Sequence, residues 1–175
     1  MDFQTWFVLA PGPSLSSELV DRVKGFSVCV VSNAYEFAPW ANCLVSNDAG
    51  WWNRHPDAKS FAGRKCSGNK IPGIERIVPC TFGSSSNSGV LALDEVRNAG
   101  AMKIVMLGFD MHGTHFFGPY KNGCRNTSAN RRREHHLQFA SWAKANKMIQ
   151  VINCTEGTSL KAFPVGSLED QLRIA

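Results

Sequence analysis

The chain is poor in several features that would have decided its class at once. No apolar run approaches the roughly 18 residues that a bilayer-spanning helix needs, so no membrane partner is expected. The first residues, MDFQTWFVLAPGPS, carry an early acid and no basic n-region, so no secretory signal is expected. None of the six cysteines (29, 43, 66, 80, 124, 154) stands in a Cys-x-x-Cys pair or at zinc-ligand spacing from a histidine. No metal site is therefore expected from them, and reduced thiols in a cytoplasmic protein are. Charged residues make up only 19% of the chain against 43% hydrophobic ones, which argues against disorder. With no repeat and no linker, 175 residues read as one domain, 1–175, with its own core.

What is present begins with Thr5 to Leu15, TWFVLAPGPSL. An apolar run stops at Gly12-Pro13-Ser14 and turns into a helix-like segment. A strand that runs through a glycine turn into a helix start is a common way to build an anion pocket, and phosphate is its commonest guest. The net charge of +5 and pI of about 9.0 suit a phosphorylated ligand. Nucleic acid has no support beyond that charge. The densest cluster, Arg131-Arg132-Arg133 before Glu134, His135 and His136, reads either as a solvated helix start or as a phosphate patch.

Apolar runs alternate with amphipathic stretches. Strands are expected at Trp6–Ala10, Ser27–Ser32, Asn42–Ser46, Glu75–Pro79, Met102–Leu107 and Ile149–Asn153. Helices are expected after Ser14, which would cap Leu15, Leu19 and Val23. A second should follow Ser88 and end at Gly100, and a third should cover Glu134 to Asn146 with Leu137, Ala140 and Trp142 inward. Residues 49–74 and 111–130 read as long irregular loops. The order predicts an α/β fold: a single Rossmann-like domain, a mostly parallel sheet of about six strands with helices on both faces.

In such a sheet ligands collect at the carboxyl ends of the strands, and polar residues fall there repeatedly. They are Gly12-Pro13-Ser14, Asn33, Asp48, Ser86-Asn87-Ser88-Gly89, Asp110 with His112, and Cys154-Thr155-Glu156. Gly12 admits a phosphate close to the backbone, and Ser14 can donate to it. Asn33 offers an amide to phosphate or ribose oxygens. Ser88 and Gly89 suit a ribose or base edge. Asp48 and Asp110 can bind ribose hydroxyls, hold Mg²⁺ beside a diphosphate, or take a proton. His112 and His115 flank Gly113 as candidate general bases. Arg125 can clamp a phosphate, and Trp51-Trp52 can stack on a ring or anchor a lid.

Several of these residues also carry a resemblance. Gly12-Pro13-Ser14-Leu15 resembles the Gly-x-Gly-Pro-Ser-Leu opening of a superfamily that includes bacterial sialyltransferases and archaeal-type 6-hydroxymethylpterin diphosphokinases. Ser88-Gly89 followed by Leu107-Gly108-Phe109-Asp110-Met111 is similar to its second signature. Ser32-Asn33-Ala34-Tyr35 resembles a segment whose asparagine contacts nucleotide phosphate, and Asn153-Cys154-Thr155 resembles the last strand. Small phage-encoded proteins of this superfamily look similar too. The resemblance implies a nucleotide site at Gly12, Pro13, Ser14, Asn33, Ser88, Gly89, Gly108 and Asp110. It implies transfer from a CMP-sugar-type donor or, as alternatives, diphosphate transfer from ATP with Mg²⁺ or nucleotide binding without catalysis. The first glycine of the opening is Ala10 here. The region where those sialyltransferases place a histidine reads CRNTSANRRRE, and no histidine follows until His135.

Overall fold

A computed structural model describes residues 5–81 and 87–174. Among the described residues seven strands form one sheet, paired in parallel throughout. They are β1 (Thr5–Leu9), β2 (Ser27–Val31), β3 (Cys43–Val45), β4 (Arg64–Ser67), β5 (Glu75–Arg76), β6 (Lys103–Leu107) and β7 (Gln150–Asn153). Their order across the sheet is β5-β4-β3-β2-β1-β6-β7. The helices are α1 (Ser17–Asp21), α2 (Ala49–Arg54), α3 (Ser88–Asn98), α4 (Ala129–Ala145) and α5 (Leu168–Arg173). The chain winds outward from β1 to β5 and then returns to lay β6 on the other side of β1. That reversal leaves a crevice above the carboxyl ends, where the β1 and β6 exits diverge.

Burial on both faces follows from strand alternation. Trp6, Val8, Cys29, Val31, Ile104 and Met106 point one way and pack under α3 and α4. Phe7, Leu9, Val28, Val30, Val105 and Leu107 point the other way, toward α1, Trp51 and Trp52. All six cysteines are free thiols. No described helix is long and apolar enough to cross a membrane.

The α/β architecture matches the expectation, with one strand more. The addition, β4, lies inside the supposed loop 49–74, together with α2 and a 3₁₀ turn at Pro56–Ser60. Its sequence RKCS is short and polar, so no apolar run marks it. The expected strand at Glu75–Pro79 pairs only over Glu75–Arg76, and Val78 is 75% exposed. Ser14 does not cap α1. Ser16 does, accepting from Leu19 N, while Ser14 is held elsewhere. The third expected helix starts five positions earlier than read, at Ala129 with Ser128 as its cap. Its inward residues are Phe139 and Trp142; Leu137 is 67% exposed and Ala140 is exposed too. Phe139 and Trp142 dock this helix with Ala143 packed beside them, and Leu137 and Ala140 are left in solvent.

Candidate functional site

A cleft of about 1160 Å³ opens over the carboxyl ends of the strands. Its floor comes from the exits of β1 (Gly12), β2 (Ser32), β3 (Asn47, Asp48) and β6 (Gly108, Asp110). One wall is the start of α3, with Asn87, Ser88 and Gly89. The other runs through residues 111–135 to the first turns of α4. Of the residues singled out in the sequence, His112, His115 and Arg125 also line it, whereas Pro13, Ser14 and Asn33 do not. Ser86 lies outside the described residues.

The Gly12 turn is closed by the protein itself. Asp110 is buried and accepts from Ser14 N at 3.2 Å and from Ser14 Oγ at 2.9 Å. Gly12 N donates to Gly108 O at 3.0 Å and Leu15 N to Gly12 O at 3.1 Å. Pro11 and Pro13 carry no N–H, so this turn keeps none for a phosphate in this conformation. Both glycines are sterically required. A Cβ on Gly12 would lie 2.0 Å from Asp110 Oδ2, and one on Gly108, whose φ is +74°, would lie 2.0 Å from Ala10 O. Ala10 in turn continues the sheet by donating to Leu107 O. Thr155 Oγ1 accepts from Phe109 N, and Thr158 Oγ1 donates to Phe109 O, so the segment after β7 braces the β6 exit.

Asn33 sits beneath the cleft as a hub. Its Oδ1 accepts from Trp51 Nε1 and from Tyr120 Oη, both at 2.7 Å, and its Nδ2 donates to Glu36 Oε1 at 2.6 Å. His55, stacked on Trp51, donates from Nδ1 to Trp51 O, which leaves Nε2 to accept from Asn33 and Asn122. Asn33 therefore ties the 111–126 segment to the sheet through Tyr120. Asp48 caps α2 by accepting from Gly50 N at 2.7 Å.

At the α3 wall Asn87, not Ser88, is the cap. Its Oδ1 accepts from Gly89 N and Val90 N. Ser88 Oγ accepts from Asn47 N at 2.9 Å and ties the wall to β3. Gly89 is a close-packing glycine, with Phe109 and Phe139 ring atoms 3.0 Å from where its Cβ would be. The Asn87 Nδ2 is buried, with 5% of the residue exposed, and has no hydrogen-bond partner among the described residues. An unpaired buried donor is costly.

On the opposite wall His112 Nε2 donates to Gly157 O at 3.1 Å. His115 Nδ1 donates to Gly118 O at 3.3 Å, which leaves its Nε2 as the basic nitrogen, and its ring stacks on Phe117. Burial lowers the His115 pKa. Arg125 makes no hydrogen bond or ion pair among the described residues. Arg132 donates to Gly113 O at 2.9 Å, and Arg131 stands 3.8 Å from Glu134. His135 lines the cleft with an Nε2 that is shielded and unpartnered. Burial first, then the neighbouring Arg131, His136 and Arg132 charges, push its pKa down to about 4, so it is neutral at pH 7. Among the described residues no group of three or more His, Cys, Asp or Glu side chains is placed to hold a metal ion.

Sequence reasoning missed Ser32, Asn47 and Asn69 as lining residues; it placed Asn87 at this end of the sheet but not as the cap of α3. Ser32 and Met111 adopt left-handed φ values of 45° and 60°, which non-glycine residues rarely do outside functional turns. No local pattern announces that strain. Asn87 had a visible signal, since an asparagine before Ser-Gly and an apolar-periodic run is a good cap. The chain matches no protein-family model, and the search of curated proteins returns no significant match.

Proposed function

We propose that this chain is a nucleotide-dependent transferase that uses a CMP-sugar-type donor. One observation carries the reading. A cleft at the carboxyl ends of a parallel sheet brings the Asn87-Ser88-Gly89 start of α3 together with Arg125, whose guanidinium has no partner among the described residues. The nucleoside would lie along Asn47, Asn87 and Ser88, and its phosphate would point toward Arg125. In the transfer step an acceptor hydroxyl oxygen bonds to the anomeric carbon while the bond from that carbon to the phosphate oxygen breaks. The nucleotide leaves with that electron pair, and the hydroxyl proton passes to a histidine. His115, through Nε2, and His112, through Nδ1, line the cleft and are the candidate acceptors of that proton.

Asp110 has both carboxylate oxygens bonded within the chain, whereas Asp48 has only Oδ1 bonded. With one of the two acids committed to the fold, a sugar donor fits better than a diphosphokinase that would need both for Mg²⁺. The same observation favours, as a second reading, a protein that holds the nucleotide without turnover. The discriminating experiment incubates the protein with CMP-sialic acid and a panel of acceptors and follows CMP release and glycoside formation by mass spectrometry. The transferase reading expects CMP released in step with glycoside, and loss of both in His115→Ala or in the His112→Ala/His115→Ala pair. CMP-sialic acid that binds and is recovered intact supports the second reading. No binding of any cytidine nucleotide contradicts both.

A further inference from the structure

The cleft is larger than one nucleotide needs. At about 1160 Å³ it exceeds the roughly 300–1,000 Å³ of a one-ligand site. Arg131 and Arg132, on the first turn of α4, line this cleft together with Arg125 and Gly113. The acids that line the cleft, Asp48 and Asp110, belong to its floor and are bonded there. Arg132 fixes its guanidinium on Gly113 O by one nitrogen, which leaves its other N–H groups for a ligand. His135, one turn along α4, also lines this wall.

We infer that this end of the cleft is a second anion subsite, in which Arg131 and Arg132 hold the phosphate group of a phosphorylated small-molecule acceptor. The inference rests on the nucleotide reading for its division of the cleft into a donor half and an acceptor half. Two guanidinium groups on one side of a pocket match a dianionic phosphate better than a single carboxylate, because each planar fork can take two phosphate oxygens. Phosphate also occurs along a nucleic-acid backbone, but single-stranded chains are held by exposed aromatic platforms. The exposed large apolar side chains among the described residues are Val78, Met102, Leu137, Met148, Val165 and Ile174, with no aromatic among them. A concave small-molecule site is the better match.

The test is calorimetric titration of the full chain, first saturated with CMP, with four probes: glucose 6-phosphate, glucuronate, glucose and a short thymidine oligonucleotide. Glucose 6-phosphate is expected to bind on top of CMP, on the order of tenfold more tightly than glucuronate. The Arg131→Ala/Arg132→Ala pair is expected to weaken it by a further order of magnitude, with CMP affinity unchanged to within about twofold. Should that pair compromise folding, Arg131→Lys/Arg132→Lys keeps the charge and removes the fork, and a severalfold loss is still expected. Equal binding of glucuronate, indifference to both arginine variants, competition between glucose 6-phosphate and CMP, or tighter binding of the oligonucleotide would each overturn the inference. The two proposals fail separately. Arginine-dependent glucose 6-phosphate binding without CMP binding sinks the nucleotide reading alone. CMP binding without any sugar-phosphate binding sinks the second subsite alone.

Discussion

The floor of the cleft and its far wall are built on opposite plans. In the floor the polar groups serve the fold: Ser14 on Asp110, Gly12 N on Gly108 O, Asp48 on Gly50 N, Ser88 on Asn47 N. In the wall from residue 111 to 135 the bonds are fewer and end on loop carbonyls, as His112 on Gly157 O and Arg132 on Gly113 O, and the Arg125 guanidinium has no partner among the described residues. The floor is thus a rigid platform, and what meets a ligand is carried by its surroundings. Residues that look catalytic because they end strands are here the ones that hold strand ends together, and the strained Ser32 and Met111 turns mark how tightly those ends are set.

Substitutions should separate the two regions by size and kind of effect. The largest belongs to the floor. Gly12→Ala drives a methyl into Asp110 Oδ2 and Gly108 O, at 2.0 and 2.2 Å. A loss of about 3 kcal/mol or more is expected in urea unfolding. Asp110→Asn comes next, because it removes the charge from two hydrogen bonds to Ser14. About 1.5–3 kcal/mol should go, seen as a lower midpoint at unchanged slope.

Asn87 stands between the regions and sharpens the comparison. Asn87→Ala removes a cap and should cost about 1 kcal/mol. Asn87→Asp keeps the capping oxygen but buries a carboxylate oxygen where the unpartnered amide was. The positive helix end offsets only part of that cost, so about 1–3 kcal/mol of stability should be lost and the affinity for CMP should fall. If both variants bind CMP as the parent does, Asn87 belongs wholly to the floor.

His135 gives the smallest effect. Its native pKa, down at about 4 from an ordinary 6.5, lies below that of the unfolded chain. As pH falls through 6.5 the unfolded state takes up a proton that the native state refuses. Stability therefore declines between pH 6.5 and about 4 and levels off below that. Partial exposure limits the loss to about 1 kcal/mol. His135→Gln should flatten this part of the stability–pH curve.

The same contrast explains what was legible in the sequence. The parallel sheet was visible because strands such as SVCVV and KIVML are continuous apolar runs, and a strand buried on both faces has to be one. Gly12 and Asp110 were visible as polar strand ends and Gly108 through the resemblance, but that Asp110 closes the Gly12 turn through Ser14 was not. β4 was hidden because RKCS carries no pattern of its own and is held by pairing with β3. The α4 wall was half hidden. Its arginines and histidines were plain in the sequence, but a polar helix start reads the same whether it faces solvent or a cleft. The seat of Asn33, under Tyr120 from 87 positions away, depends on a contact that no local window contains.

The most direct measurement is an amide and side-chain NMR titration of the labelled protein with CMP. The account predicts shifts at the Asn87 side-chain amide, Ser88 and the Arg125 Nε–H, with Ser14 and Asn33 moving little. Shifts confined to the Gly12–Ser14 turn, or found instead around Trp142 and Phe163 on the β7 side, would contradict it.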